Sequence, residues 1–207
     1  VEQMIQDAKD ETSELYLNII LRNSRRISDL ISELLNTSRP SEITLEEHIL
    51  QVILDEVLAS AIDRLTLKRI KLEVDYTDDY MYVNADKEKL KIALLNIMIN
   101  AVEAMEEETG HLAIRLRQEN GQAVLKITDN GCGISEENIT RLFEPYFTQK
   151  RNGVGLGLAF TLNILQAHKA GIEVISAIGE GTTFSITFPL TTGADIVTVV
   201  TQREELT

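Results

Sequence analysis

Gly153, Gly155 and Gly157 alternate immediately ahead of residues 156–168, an apolar run that reads as a helix. Three glycines there let backbone N–H groups approach an anion, and the helix mouth behind them adds partial positive charge; phosphate is the natural ligand. A plain flexible turn would use the same residues. The loop is not of the Walker type, since no Gly-Lys-Ser/Thr follows, and no strand leads directly into it as a dinucleotide fingerprint requires. Upstream, Asp129 ends an apolar stretch containing Val124, Leu125 and Ile127, and Asn130-Gly131-Cys132-Gly133 follow it. A carboxylate at a strand end can accept a hydrogen bond from an exocyclic amine, and Gly131 and Gly133 leave room for a flat ring, which suits adenine. A turn-forming aspartate is the other reading. Cys132 has no base in evidence nearby and reads as a lining thiol rather than a reactive one.

A third set lies on a helix over residues 86–106, where Lys89, Ala93, Asn96, Asn100, Glu103 and Glu107 share one face at spacings of four and three. Leu90, Leu94, Ile97, Met98, Ile99, Ala101 and Val102 surround them, so the helix is buried on most sides. Two amides in that setting need partners, because an unpaired buried amide costs roughly 1–3 kcal/mol. An Asn carbonyl is a hard-oxygen ligand for a Mg²⁺ that also holds triphosphate oxygens; satisfied core amides are the alternative. The three sets describe three walls of one pocket for ATP with Mg²⁺.

The elements that must position them fit within 207 residues, room for one domain plus an appendage or two small domains. A net charge of -13 speaks against a nucleic-acid surface, and an acidic chain that holds polyphosphate needs a cation or backbone donors. With a single cysteine no intrachain disulfide can form. No apolar run approaches the ~20 residues of a membrane span and no signal peptide opens the sequence, so no membrane contact is expected of this piece.

Residues 11–39 form a long helical pattern whose seam is Tyr16, Ile20, Asn23, Ile27, Leu30 and Leu34, widened by Leu15, Ile19, Ile31 and Leu35. One helix cannot bury that stripe alone, and Pro40 stops it abruptly; a dimerisation hairpin is preferred to an ordinary amphipathic helix. Beyond it the patterning predicts a strand over 41–45, a helix over 46–68 and strands over 70–74 and 80–83. After the Asn-bearing helix come strands over 112–116 and 123–128 across an Asn120-Gly121 turn, then a weakly structured stretch over 134–152. The helix over 156–168 and strands over 172–176 and 183–188 complete a mixture of helices and antiparallel strands, an α+β two-layer sandwich with helices on one sheet face. Residues 191–207 are β-prone, then charged, and have no assigned role.

In order along the chain stand Asn96-x-x-x-Asn100-Ala-x-Glu-Ala, Asp129-x-Gly-x-Gly, Phe143-Glu-Pro-Tyr-Phe147, Gly153-x-Gly-x-Gly157 and Gly179-Glu-Gly-Thr-Thr-Phe184. Together they resemble the motif series of sensor histidine kinases, with the Bergerat-type ATP-binding fold over residues 41–190. Residues 1–40 resemble part of the dimerisation and phosphoacceptor hairpin, mostly its second helix. The resemblance implies that Asn100 ligates Mg²⁺, that Asn96 contacts the phosphates as a catalytic residue, and that Asp129 reads the adenine amine in a pocket shaped by Gly131 and Gly133. It further implies a phosphate loop of Gly153, Gly155, Gly157 and Leu158, a mobile lid anchored by Phe143 and Phe147, and Thr182 or Thr183 at the base. The run Phe147-Thr-Gln-Lys150 resembles short-lid kinases akin to nitrogen-regulation sensors, where the matching Lys faces the phosphates as a second catalytic group; a solvated surface Lys is the plainer reading. His168-Lys169-Ala170-Gly171 departs from the frequent His-Gly-Gly, which affects a turn.

A larger departure is the acceptor. His48, His111 and His168 do not match a phosphoacceptor and read as ordinary structural or surface histidines. Hairpin arms should be of comparable length. Only residues 1–5 before a polar bend at 6–11 fit the first arm, so ~20 residues or more, acceptor included, are expected upstream. The implied activity is a cytoplasmic ATP-dependent protein-histidine kinase core, passing phosphoryl to a response regulator receiver domain and homodimeric through residues 1–40. It would be the cytoplasmic part of a larger sensor if that sensor is membrane-anchored. Related hydrolases of the fold carry Glu at the position of Asn96, and an amide cannot serve as a general base. A Bergerat-fold ATPase or serine-type regulator kinase, and a non-catalytic nucleotide-binding dimerisation module, are the competing readings.

Overall fold

The computed structural model describes Leu17, Ile20, residues 43–150 and residues 153–191. The chain divides into two compact units, Val1–Ser41 and Glu42–Thr207. Leu17 and Ile20 are helical. The rest of the expected hairpin helix, its dimer seam and the tail beyond residue 191 lie outside the described residues.

The second unit is built in the order β1 (Glu46–Ile49), α1 (Leu50–Leu67), β2 (Lys71–Tyr76), β3 (Tyr82–Ala85) and α2 (Lys87–Ala104). There follow β4 (His111–Glu119), β5 (Gln122–Asp129), the single turn α3 (Glu136–Ile139), α4 (Gly157–Ala167), β6 (Gly171–Ala177) and β7 (Gly181–Pro189). Helix α1 buries Leu50, Ile53, Leu54, Val57, Ala61 and Leu65, one stripe at the helical period. Helix α2 starts where the Asp86 carboxylate accepts the Lys89 N–H at 3.2 Å, and it buries Leu90, Ala93, Leu94, Ile97, Met98, Ala101 and Val102. So wide an apolar face needs cover on several sides, and α1, α4 and the sheet provide it.

Five strands form the main sheet in the order β2-β4-β5-β7-β6. Asn120 and Gly121 both take positive φ, 52° and 78°, the conformation of the tight turn expected between β4 and β5. Alternation sorts the two faces. Ile114, Ile127, Phe184 and Val174 stand in one cross-strand row, and Leu116, Leu125, Ile186 and Ile172 in the next, all part of the core with the helices. The opposite face carries Arg115, Lys126, Ser185 and Glu173. The expected sandwich, helices on one sheet face, is what the chain adopts.

Two local expectations change. Residues 43–45 have no regular structure, and the first strand is Glu46–Ile49, which pairs with β3 in a separate two-stranded sheet instead of opening a helix at 46. Ile49 remains extended (φ -79°, ψ 118°), and the Leu50 N–H donates to Met81 O at 2.8 Å before the helix begins. Pairing with β3 therefore overrides the helical pattern at this end. The second change is that β2 pairs parallel to β4. The connection between them runs through β3 and α2, long enough for a parallel crossover.

Ile97 has no exposed surface and lies at the middle of α2. Ile97→Ala is expected to lower unfolding free energy by about 2–5 kcal/mol in urea denaturation. A loss under ~1 kcal/mol would show that α2 is not the centre of the core.

Candidate functional site

Helix α2 is the spine of the site, and α4 lies antiparallel against it, fixed at two points. Near the N-terminus of α2, the buried His168 accepts the Asp86 N–H on Nε2 at 2.9 Å, so Nδ1 carries the proton and donates to Ile164 O at 2.7 Å. His168 is thus a structural histidine, as its place at the end of a helix suggests. Halfway along α2, Asn96 Nδ2 donates to Thr161 Oγ1 at 2.9 Å, and Thr161 is wholly buried. Gly157 makes that approach feasible, since a Cβ there would stand 2.8 Å from Asn96 Oδ1. No side chain caps α4, so the N–H groups of Gly157, Leu158 and Ala159 lack partners within the helix beside Asn96. Such a mouth can hold an anion.

One turn further along α2, Asn100 Oδ1 accepts the Lys150 ammonium at 2.5 Å, and the same ammonium pairs with Glu103. Lys150 follows Phe143, which packs on the core, and Phe147, whose ring lies 4.6 Å from the Arg141 guanidinium. The glycine loop meets this segment directly. Gly155 (φ +74°) accepts the Tyr146 N–H on its oxygen at 2.8 Å, and a Cβ on it would reach Phe147 O at 2.6 Å. Gly153 donates to Lys150 O at 3.1 Å.

The last turn of α2 meets the Asp129 loop. Ala104 O accepts the Cys132 N–H at 3.1 Å, and Gly131 passes so close that a Cβ would lie 2.7 Å from that oxygen. Asp129 is buried, and its Oδ1 accepts the Gly131 N–H at 2.8 Å. Burial raises its pKa above the ordinary aspartate value, opposed by hydrogen bonds from the Gly131 and Thr182 backbones. Asp129 therefore shapes its own turn, the plainer of its two sequence readings, and is at the same time a carboxylate whose charged form burial disfavours. Gly133 (φ +71°) fits against the β6–β7 turn, where a Cβ would meet Ala177 O at 1.9 Å.

Thr182 stands opposite Asp129 and is buried on the same face. Thr183 does not join them. It lies one residue on, across from Thr128, and bonds that hydroxyl at 3.0 Å on the other face of the sheet. Asn96, Asn100 and Ala104 follow one another along α2 over about 12 Å, so the glycine loop, the Lys150 segment and the Asp129 loop all meet one helix. Sequence reasoning missed three residues that hold this arrangement. Thr161 orients Asn96; Ser176 accepts the Ile134 N–H at 2.8 Å and bonds Thr182 at 2.9 Å. Lys68 donates to Val102 O and Met105 O, each at 2.9 Å, closing the C-terminus of α2. Among the described residues no group of three or more His, Cys, Asp or Glu side chains could hold a metal alone. No helix among them is long and apolar enough to cross a membrane.

The histidine kinase-, DNA gyrase B-, and HSP90-like ATPase family matches residues 85–192, over half of the chain. The chain belongs to that family, and use of a nucleotide comes with membership. It is 34% identical over 191 residues to the signal transduction histidine-protein kinase AtoS of Escherichia coli, covering 92% of this chain and 31% of that protein. Sporulation kinase E of Bacillus subtilis is 31% identical over 196 residues, with 93% of this chain and 26% of that protein covered. The chain spans under a third of the length of these curated relatives. Among solved structures, a mycobacterial sensor histidine kinase, MprB, superposes with a TM-score of 0.64 at 30% identity over 71% of this chain and 98% of that one.

Asp129→Asn keeps an acceptor for Gly131 and removes the charge. The folded pKa lies above the ~3.9 of an unfolded aspartate, so the carboxyl's contribution to stability is intact below that value and is lost as pH rises through the folded pKa. The variant is expected to be more stable than wild type in denaturant at neutral pH, with the gap closing as pH falls into the carboxylate range. Equal stability at neutral pH would show that the ionised group is not desolvated.

Proposed function

We propose that this chain is the ATP-binding core of a protein-histidine kinase, transferring the γ-phosphoryl to a histidine outside this chain and thence to a response regulator aspartate. The observation that carries the reading is the convergence on α2 of an uncapped helix mouth, an amide oxygen that takes a cation, and a buried carboxylate. In it Gly153, Gly155, Gly157 and Leu158 cradle the phosphates beside Asn96, and Asp129 with Thr182 receives the adenine over Gly131 and Gly133. Phe143 and Phe147 anchor the covering segment, from which Lys150 reaches the phosphates.

The residues fit Mg²⁺ bound as the nucleotide complex. Asn100 Oδ1 is a hard oxygen already engaged by a cation, and with no group of three or more ligating side chains among the described residues the remaining ligands would be phosphate oxygens and water. When bound, the ion neutralises charge on the transferring phosphoryl group. Asn96 cannot take a proton from water, which favours a protein acceptor over hydrolysis. Homodimerisation through residues 1–40 and a cytoplasmic location, where ATP is available, complete the proposal.

The test supplies γ-radiolabelled ATP and a hairpin fragment bearing the acceptor histidine. Label on that histidine is expected. Release of free phosphate alone would make the chain a hydrolase, and neither product a nucleotide-binding module. Asn100→Ala should weaken Mg²⁺-dependent ATP binding by about tenfold or more with an unchanged circular dichroism spectrum; unaltered affinity would remove Asn100 from the metal. Asp129→Asn should weaken ATP more than magnesium triphosphate, because only the base contact is altered; equal losses would place Asp129 away from the base.

A further inference from the structure

The Lys150 ammonium stands 2.5 Å from Asn100 Oδ1 and is paired with Glu103, one turn further along the same helix. Resting on the proposed function, this arrangement sets its two assigned roles against each other. Asn100 Oδ1 is the oxygen given to Mg²⁺, which would sit at about 2.1 Å from it. Lys150 is the side chain given to the phosphates. An ammonium and a divalent ion on one amide oxygen would repel strongly at that separation, so Lys150 must leave before the metal arrives.

We propose that Glu103 is a positioning residue that parks Lys150 on Asn100, so that magnesium nucleotide binds by exchanging one cation for another. At both ends of the latch the backbone is itself held. Lys68 fixes the carbonyls of Val102 and Met105 on either side of Glu103, which keeps that turn of α2 in place. On the other side the Lys150 N–H bonds Thr148 Oγ1 at 3.1 Å, and its carbonyl receives the Gly153 N–H. Breaking the latch frees the ammonium for the phosphates and the amide oxygen for the ion at the same time. Glu103 itself touches neither; its carboxylate acts on the site through the ammonium it holds. The segment bearing Phe147 and Lys150 is thereby tied to α2 until nucleotide releases it.

The experiment measures affinity for ATP, with Mg²⁺ and with chelator, in wild type, Glu103→Gln, Lys150→Met and the double variant. Both carboxylate and ammonium are about half exposed, 51% and 48%. Glu103→Gln should therefore tighten Mg²⁺-ATP binding by about two- to fivefold, the worth of an exposed ion pair. In the Lys150→Met background the same change should have no effect. An equal gain in that background would mean that Glu103 acts only as a repelling charge and would overturn the latch. Weaker Mg²⁺-dependent binding with unchanged binding in chelator would make Glu103 a metal ligand and would also overturn it. Wild type that binds no nucleotide at all would sink the functional reading beneath this one, whereas wild type that binds and a Glu103→Gln variant that gains nothing would sink the latch alone.

Discussion

Everything in the site depends on how closely α4 can approach α2. The contact is a polar one inside an apolar interface: Asn96 on one helix and the fully buried Thr161 on the other satisfy each other. Separated, Thr161 would be a buried hydroxyl deprived of this partner, at roughly 1–3 kcal/mol, while the half-buried Asn96 would lose less. A slide of one helix past the other is therefore penalised far more than an all-leucine seam would penalise it. The absence of a side chain at Gly157 completes the fit, and His168 ties the far end of α4 to the start of α2. One set of contacts fixes helix register and brings an uncapped helix mouth to the middle of the spine.

Asp129 shows the opposite balance. Its burial raises the energy of the charged form, yet the surrounding backbone is shaped around it. Gly131, Gly133 and Gly181 each sit where a Cβ would collide with a carbonyl or with Asp129 itself. A carboxylate kept in so confined a place, with burial set against its charged form, serves its own turn and is at the same time a candidate for contact with a ligand.

Much of this was visible in the residues themselves. Alternating glycines before a helix, an aspartate at a strand end and two amides in an apolar helix stand out because each defies the local pattern around it. The Asn120-Gly121 turn was legible for a purely local reason, since both residues take positive φ there. The separate β1–β3 pair and the parallel β2–β4 ladder were not, because both join segments far apart in sequence. Thr161, Ser176 and Lys68 carry no signal of their own; a threonine in a helix or a lysine after one is ordinary until its partner is known. Thr182 and Thr183 are different. Their faces could have been read by counting back in twos from Phe184, Ile186 and Phe188, which places Thr182 with the core and Thr183 outside.

That parity reaches beyond one threonine. Because β7 alternates strictly, a slip of one residue against β5 would turn Phe184, Ile186 and Phe188 outward and exchange the hydroxyl beside Asp129 for its neighbour. A chain mispaired in this way would lose its oily interior and the pairing of Asp129 with Thr182 in the same step. The ladder thus acts as its own proofreader: a molecule competent for ligand has, by that fact, chosen the right pairing.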